Sequence, residues 1–496
     1  MKNIKYIITR FSVLFLFLMH WGCENSLVEM NENPSAVTSI DDKFLFTSAV
    51  KSTIEESPGS YDLRMGSQYS HMYVSPSLGR QADRYEDYND AVYNSTLTGK
   101  FTGPIKYINE IILLNEDEDG NPVNEVKLAL VNILGVCNFA RLTDLYGSIP
   151  YSEGGWGRKN ILYPAYDSQE FIYNDMLDKL KNSIDVLKTA NAEDAYPDFD
   201  PLYENDLTKW VRFANSLRLR LAMRSRFVDP SNSAEVISEC LSEPLIETNE
   251  QNAQLEHEDG DIEELNNPWY NLYTVKEKWK MGELFVDWLK TTNDPRLPIF
   301  VEVNQDGEYY GIKNGLTDLD HGNAFSQSKY CYPAEALYAK DRPSYFLCAD
   351  EVAFLKAEAA LIGLGSGDAN EFYQEGIQKA MEKWNVPEDQ ITAFLTDEAE
   401  ASLSGSDEEK LEQISTQVWI ALIPNFAEIF SNMRRTDYPV ITQRGEDMAQ
   451  GVTEGYFPKR LIYGTDELIT NAENVANAIA QQGENKITTA LWWDVD

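Results

Sequence analysis

The chain has 496 residues, with 81 Asp and Glu against 42 Lys and Arg and a formal charge of −39 at pH 7. That balance repels phosphate backbones, so nucleic acid is excluded as a partner. Five scattered cysteines without a CxxC are too sparse for a disulfide scaffold; buried free thiols are expected, with one Cys331–Cys348 bridge left open.

The first segment, "MKNIKYIITR", is basic and carries no acid, and Phe11 to Leu18 is almost wholly apolar. This predicts a signal peptide over 1–22, too short to cross a bilayer as a stable helix. His20 and Trp21 occupy the place of small cleavage-site residues, and Gly22-Cys23 reads as the end of a lipobox. Cys23 is therefore expected to be acylated and to become the mature N-terminus, ordinary secretion being the alternative. Several acyl chains anchor firmly where one binds only marginally. Residues 23–40 are polar and read as a tether, and no later stretch approaches a membrane-spanning run of 18 apolar residues.

Helical periodicity then dominates. Over 126–146, Leu130, Ile133, Cys137 and Ala140 recur at three and four residues; Trp210, Ala214, Leu217 and Leu221 do the same over 207–226. Segment 169–188 is a further amphipathic helix. The clearest unit is 351–384. Phe354, Leu355, Ala359 and Ile362 mark its first helix, "GLGSGD" the turn, and Tyr373, Gly376, Ile377, Ala380, Met381 and Trp384 its second. That is the length of a tetratricopeptide repeat, about 34 residues, and such hairpins bury a core only by stacking. Residues 244–345, rich in Pro, Gly, Asn and aromatics, predict long loops of the kind that carry function.

Catalytic patterns are missing. His71, His257 and His321 are isolated, and there is no HExxH, GxSxG or P-loop. Glycoside hydrolysis needs only two carboxylates; with so many acids a pair stays open, though none is set apart. "NEDEDGNPVNEV" (115–126) imitates a calcium loop, but Val126 stands where a bidentate Glu is required, so a solvated acidic turn is expected. Arg218, Arg220, Arg224 and Arg226 crowd one helix, and Arg434–Arg435 another; ion pairs with neighbouring helices are expected rather than an anion site.

Catching neutral sugar calls for aromatic faces with polar groups alongside. Two segments offer them. One is 66–88, with Tyr69, His71, Tyr73 and Tyr85; the other is the insertion, with Trp269, Tyr270, Tyr273, Tyr309, Tyr310, Tyr330 and Tyr332. The ligand-binding candidates are Tyr69, Tyr73, Tyr85, Trp269, Tyr270, Tyr309, Tyr330 and Tyr332. Trp210, Trp384 and Trp419 are assigned to packing.

Several blocks together resemble one family: "CNFARLTDLYGSIPYSEG" (137–154), "KWVRFANSLRLRLAMR" (209–224), "NDPRLP" (293–298) and "ADEVAFLKAEAAL" (349–361). "ISTQVWIALIPNFAEIFSNMRRTDYP" (414–439), "FPKRLIY" (457–463), "WWD" (492–494) and "NENPSAV" after the cysteine extend the set. In this order they resemble the SusD/RagB family of Bacteroidota outer-membrane lipoproteins, in its SusD-like branch. The resemblance implies a mainly α protein, one domain over 41–496, with about four tetratricopeptide-like helix pairs in a superhelix. It adds an irregular ligand-binding half around the loop-rich insertion 244–345. It implies no catalytic residue, metal or cofactor, with structural calcium left open. It implies capture of an oligosaccharide, or of peptide as in some relatives, for a partner SusC-like TonB-dependent transporter. Location would be the outer membrane, lipid-anchored through Cys23 and displayed at the cell surface, as Glu24, Glu29 and Glu32 also suggest.

Overall fold

The computed structural model describes residues 40–54, 61–75, 80–86, 90–270 and 278–495. The expected leader, Cys23, most of the tether and Tyr273 lie outside them. In the unit Leu45–Asp496 the longer helices are α1 (Asp42–Ile54, begun in the preceding unit), α2 (Asp90–Thr102), α3 (Pro104–Leu114), α4 (Glu125–Tyr146), α5 (Gln169–Thr189), α6 (Leu207–Ser225) and α7 (Pro230–Leu241). After the insertion's α8 (Glu283–Thr291) come α9 (Ala349–Leu361), α10 (Ala369–Lys383), α11 (Glu388–Asp397), α12 (Asp407–Ala421), α13 (Phe426–Thr436) and α14 (Ala472–Gln482). Among the described residues four short strands, β1 (Tyr73–Val74), β2 (Ala253–Leu255), β3 (Lys280–Met281) and β4 (Ser344–Leu347), pair antiparallel as β1–β3 and β2–β4.

The helix starts follow from side-chain caps. Asn124, Ser168, Asp206, Asp368 and Asn425 accept hydrogen bonds from the first free backbone N–H groups of α4, α5, α6, α10 and α13. Ser406 and Glu409 form a reciprocal capping box on α12, and each such cap stabilises by about 1 kcal/mol. Consecutive pairs α4–α5, α6–α7, α9–α10 and α12–α13 pack together, with α5 on α6, α6 on α9, α9 on α12 and α13 back on α4. This is the helix-pair stack the sequence predicts.

In the α9–α10 hairpin, α9 closes in a Schellman motif: Leu364 N–H donates to Ala359 O (2.9 Å) and Gly363 N–H to Ala360 O (3.1 Å). Gly363 takes φ +74°, a conformation that favours glycine. Gly376 is required by contact: a Cβ there would lie 2.6 Å from the Phe354 ring.

The arginines of α6 behave as expected. Arg218 pairs with Glu239, Arg220 with Glu351, Arg224 with Asp144 and Glu428, and Arg226 with Glu358. Arg435 also grips Glu358 through both nitrogens (2.5 and 2.8 Å). Arg434 is different: its guanidinium donates to the carbonyls of Phe430, Lys459 and Asp144, so carbonyl oxygens take the place of an acid.

Helix α4 is long and apolar enough to span a bilayer, against the expectation that no later stretch would be, but 72% of its apolar window is buried in the fold. Its apolarity serves packing. Cys331 and Cys348 are free and buried, as are Cys137 and Cys240, so the bridge left open is not formed. The insertion is less loop-like than its composition suggests. It contains α8, β2 and β3, and Trp269, Trp279, Phe285 and Phe300 sit in the core with 0% exposure.

Candidate ligand-binding site

Segment 66–88 was expected to show its rings to a ligand; instead its candidate tyrosines lie in the interior. Tyr69 packs on Phe430 (5.1 Å between centroids), and Tyr73 packs edge-on against Phe426 (5.5 Å). Tyr73 pairs in register with Met281. Trp269 lies 5.7 Å from Phe426. Tyr85 donates to or accepts from His71 Nε2 (3.0 Å), and the Arg444 guanidinium covers its ring at 3.5 Å. Burial, opposed by Arg444, pushes the Tyr85 hydroxyl up to about 12, and burial with Arg444 drives His71 down to about 3. All four candidates, Tyr69, Tyr73, Tyr85 and Trp269, are 0% exposed. This corrects the sequence reading: these rings present no face to a ligand in this structure. Small and polar residues alternate with these rings in the sequence, but Phe426, Phe430 and Trp279 cover the rings in the fold.

The later rings are placed otherwise. Strand β3 receives the chain from two directions: Ile312 N–H donates to Met281 O (2.9 Å), and Met281 N–H donates to Cys331 O (3.0 Å). Cys331 N–H in turn donates to Tyr310 O (2.9 Å), and Glu302 N–H to Tyr332 O (3.0 Å). Cys331 points inward, 1% exposed. Extended backbone alternates, so its neighbours Tyr330 and Tyr332 turn the other way and are half-buried. Tyr330 packs beside Val74, Ile312 and Ala324. Beneath Tyr332 lies Lys280, its ammonium 3.4 Å from the ring centroid and donating to Tyr330 O (2.7 Å). Tyr309 is half-buried and Tyr310 is 46% exposed; the Lys290 ammonium reaches Tyr309 O and stands 4.8 Å from the Tyr310 ring.

Backbone pairing thus brings the segments of Tyr309, Tyr310, Tyr330 and Tyr332 side by side as a rim of partly exposed tyrosines, Tyr309 and Tyr330 packing on different core clusters. Glu302 and Glu308 are exposed nearby as hydroxyl acceptors, and Lys290 and Lys329 as donors. A ring with a polar edge, flanked by charged hydrogen-bonding groups, has the chemistry that suits a neutral polyol. Tyr270 belongs to another segment, tied down by Asn267 to the backbone of Lys340 and Arg342, with the Lys340 ammonium 5.0 Å from its half-buried ring.

The 115–126 turn is held by its own side chains. Asp117 spends its carboxylate on the N–H groups of Asp119 and Asn121 and on the Asn121 amide, and these bonds, the Asn121 amide first, hold its pKa below the usual range. Among the described residues no three His, Cys, Asp or Glu converge as metal ligands. Trp210, Trp384 and Trp419 are buried as assigned. The residue sequence reasoning missed is Trp156, half-buried in "SEGGWGRKN"; glycines on both sides of a tryptophan were the available signal.

A stack of helical hairpins carrying an irregular half with a rim of partly exposed tyrosines is the class of architecture this chain presents. The sequence matches, over residues 34–464, the SusD-like family described as starch-binding and associating with the outer membrane, and the chain belongs to that family. Similar solved structures include a chitin-binding protein (24% identity, 92% of this chain and 100% of that one, TM-score 0.78) and a chitin-binding SusD homologue from Flavobacterium johnsoniae (23%, 92% and 99%, 0.78). A SusD homologue from Bacteroides uniformis matches as well (24%, 92% and 100%, 0.78). No curated protein matches the sequence.

Proposed function

We propose that this protein captures a neutral oligosaccharide at the outer membrane and hands it, uncleaved, to a SusC-like TonB-dependent transporter. The observation that carries the reading is the rim of Tyr309, Tyr310, Tyr330 and Tyr332, partly exposed where Tyr69, Tyr73, Tyr85 and Trp269 are buried. Family membership and the chitin-binding relatives support the ligand class. Cys23, acylated, tethers the protein to the membrane, and residues 23–40 give the domain reach.

The test is titration calorimetry with maltotriose and chitotriose. Binding of at least one is expected. Each stacked ring contributes about 1 kcal/mol, so Tyr309→Ala with Tyr332→Ala weakens that binding roughly 10- to 100-fold at unchanged unfolding midpoint. Chromatography of the recovered sugar shows it intact. Turnover of the sugar, or unaltered affinity in the double variant, refutes the proposal; binding of a short peptide in place of both sugars moves the ligand to the peptide class.

A further inference from the structure

We propose a second saccharide site, remote in sequence from the tyrosine rim, in the groove between α3, α4 and α5. The groove holds a cavity of about 500 Å3, within the range of small-molecule sites, and continues into a narrower chamber of about 140 Å3 past Trp156. Its floor is apolar, with Leu128, Ala129 and Val186. Its walls carry Asn132 and Asn182, whose amides make no hydrogen bond among the described residues.

Trp156 is placed at the mouth by a loop with little freedom. A Cβ on Gly154 would lie 2.2 Å from Pro150 O. Gly155 takes φ +77°, and a Cβ there would meet Asn109 Nδ2 at 2.8 Å. Asn109 Nδ2 also donates to Gly154 O (3.1 Å). The two glycines let the loop press flat onto α3, and the indole is thereby preorganised, with Lys159 4.0 Å from its ring centroid. Lys179 is held in the wall by Asp175 (2.7 Å) and by the Tyr151 hydroxyl (3.0 Å).

The chemistry selects the ligand. Lys179 is already neutralised, and Glu116 and Glu125 line the same cavity, so an anion is disfavoured. The helical walls have no free backbone edge, so an extended peptide finds no strand to pair with, and the volume is small for an amphipathic helix. An indole platform, two free amides that both donate and accept, and carboxylates for hydroxyls match a neutral sugar chain of two or three rings.

The experiment uses the full domain labelled with 15N at tryptophan, titrated with maltotriose and chitotriose. The Trp156 indole signal is assigned by its loss in Trp156→Phe. A saturable shift with at least one probe is expected, retained in Tyr309→Ala/Tyr332→Ala and weakened about tenfold by Asn132→Ala. An indole signal unmoved by both sugars overturns the proposal while leaving the rim untouched. So does a shift that vanishes with the two tyrosines, and so does a shift caused by a neutral decapeptide alone.

Discussion

Replacing Glu358 by Gln removes one charge from a buried site that holds two arginines. Glu358 is 2% exposed. Its Oε1 accepts from Arg435 Nη1 (2.5 Å) and Arg226 Nε (2.9 Å), and its Oε2 from Arg435 Nη2 (2.8 Å). The variant leaves Arg435, itself buried, with Asn432 Oδ1 at 2.8 Å as its remaining side-chain acceptor beside the neutral amide. Removing one partner of a buried pair costs about 3–5 kcal/mol. The acid's own titration gives a similar size. Burial raises its pKa, but Arg435 and Arg226 together hold it at about 2 against 4.5, a shift equivalent to about 3 kcal/mol. The sign follows. A carboxyl depressed in the folded state stabilises fully above pH 4.5, and that contribution is lost as pH falls from 4.5 through about 2. Urea unfolding followed by circular dichroism therefore finds Glu358→Gln less stable by about 3 kcal/mol at pH 7, with the gap below half of that at pH 3. A gap under ~1 kcal/mol at pH 7, or one that stays flat toward pH 3, refutes the reasoning.

Trp269→Ala and Tyr73→Ala each lower unfolding free energy by about 3–5 kcal/mol, because they empty core volume; urea midpoints at wild-type values would return these rings to the ligand-facing role. Gly376→Ala drives a methyl into the Phe354 ring and costs about 1–3 kcal/mol, read as a lowered melting temperature, whereas an unchanged or raised value would show that α9 and α10 separate freely. Cys23→Ala moves the protein from the membrane fraction to the soluble one. Continued sedimentation with outer membrane in cells lacking the transporter contradicts acylation at this cysteine.

The helix pairs were legible because their signals are local. Apolar residues recur at three and four, caps precede them, and "GLGSGD" closes α9 with the glycine its turn requires. The α6 arginines were legible as ion pairs, though not their partners, since Glu351 and Glu428 lie more than a hundred residues away. The ligand rings were not separable. Tyr73 and Tyr332 occupy similar company in sequence, yet Tyr73 is covered by Phe426 and Trp279 while Tyr332 is left half-buried over Lys280. Exposure of a ring depends on what the rest of the chain lays over it, and no window of neighbours carries that.

The carboxylate of Asp144 sits in α4, and the groups that satisfy it come from Tyr173, Arg224 and Trp493 Nε1, the last 349 residues along the chain. A polypeptide synthesised N-terminus first therefore cannot complete the surroundings of this acid until its final residues arrive. Truncation before Trp493 strips a donor from a buried acid in the opposite half of the sequence, so an unfinished chain carries an unsatisfied carboxylate at the heart of its helix stack.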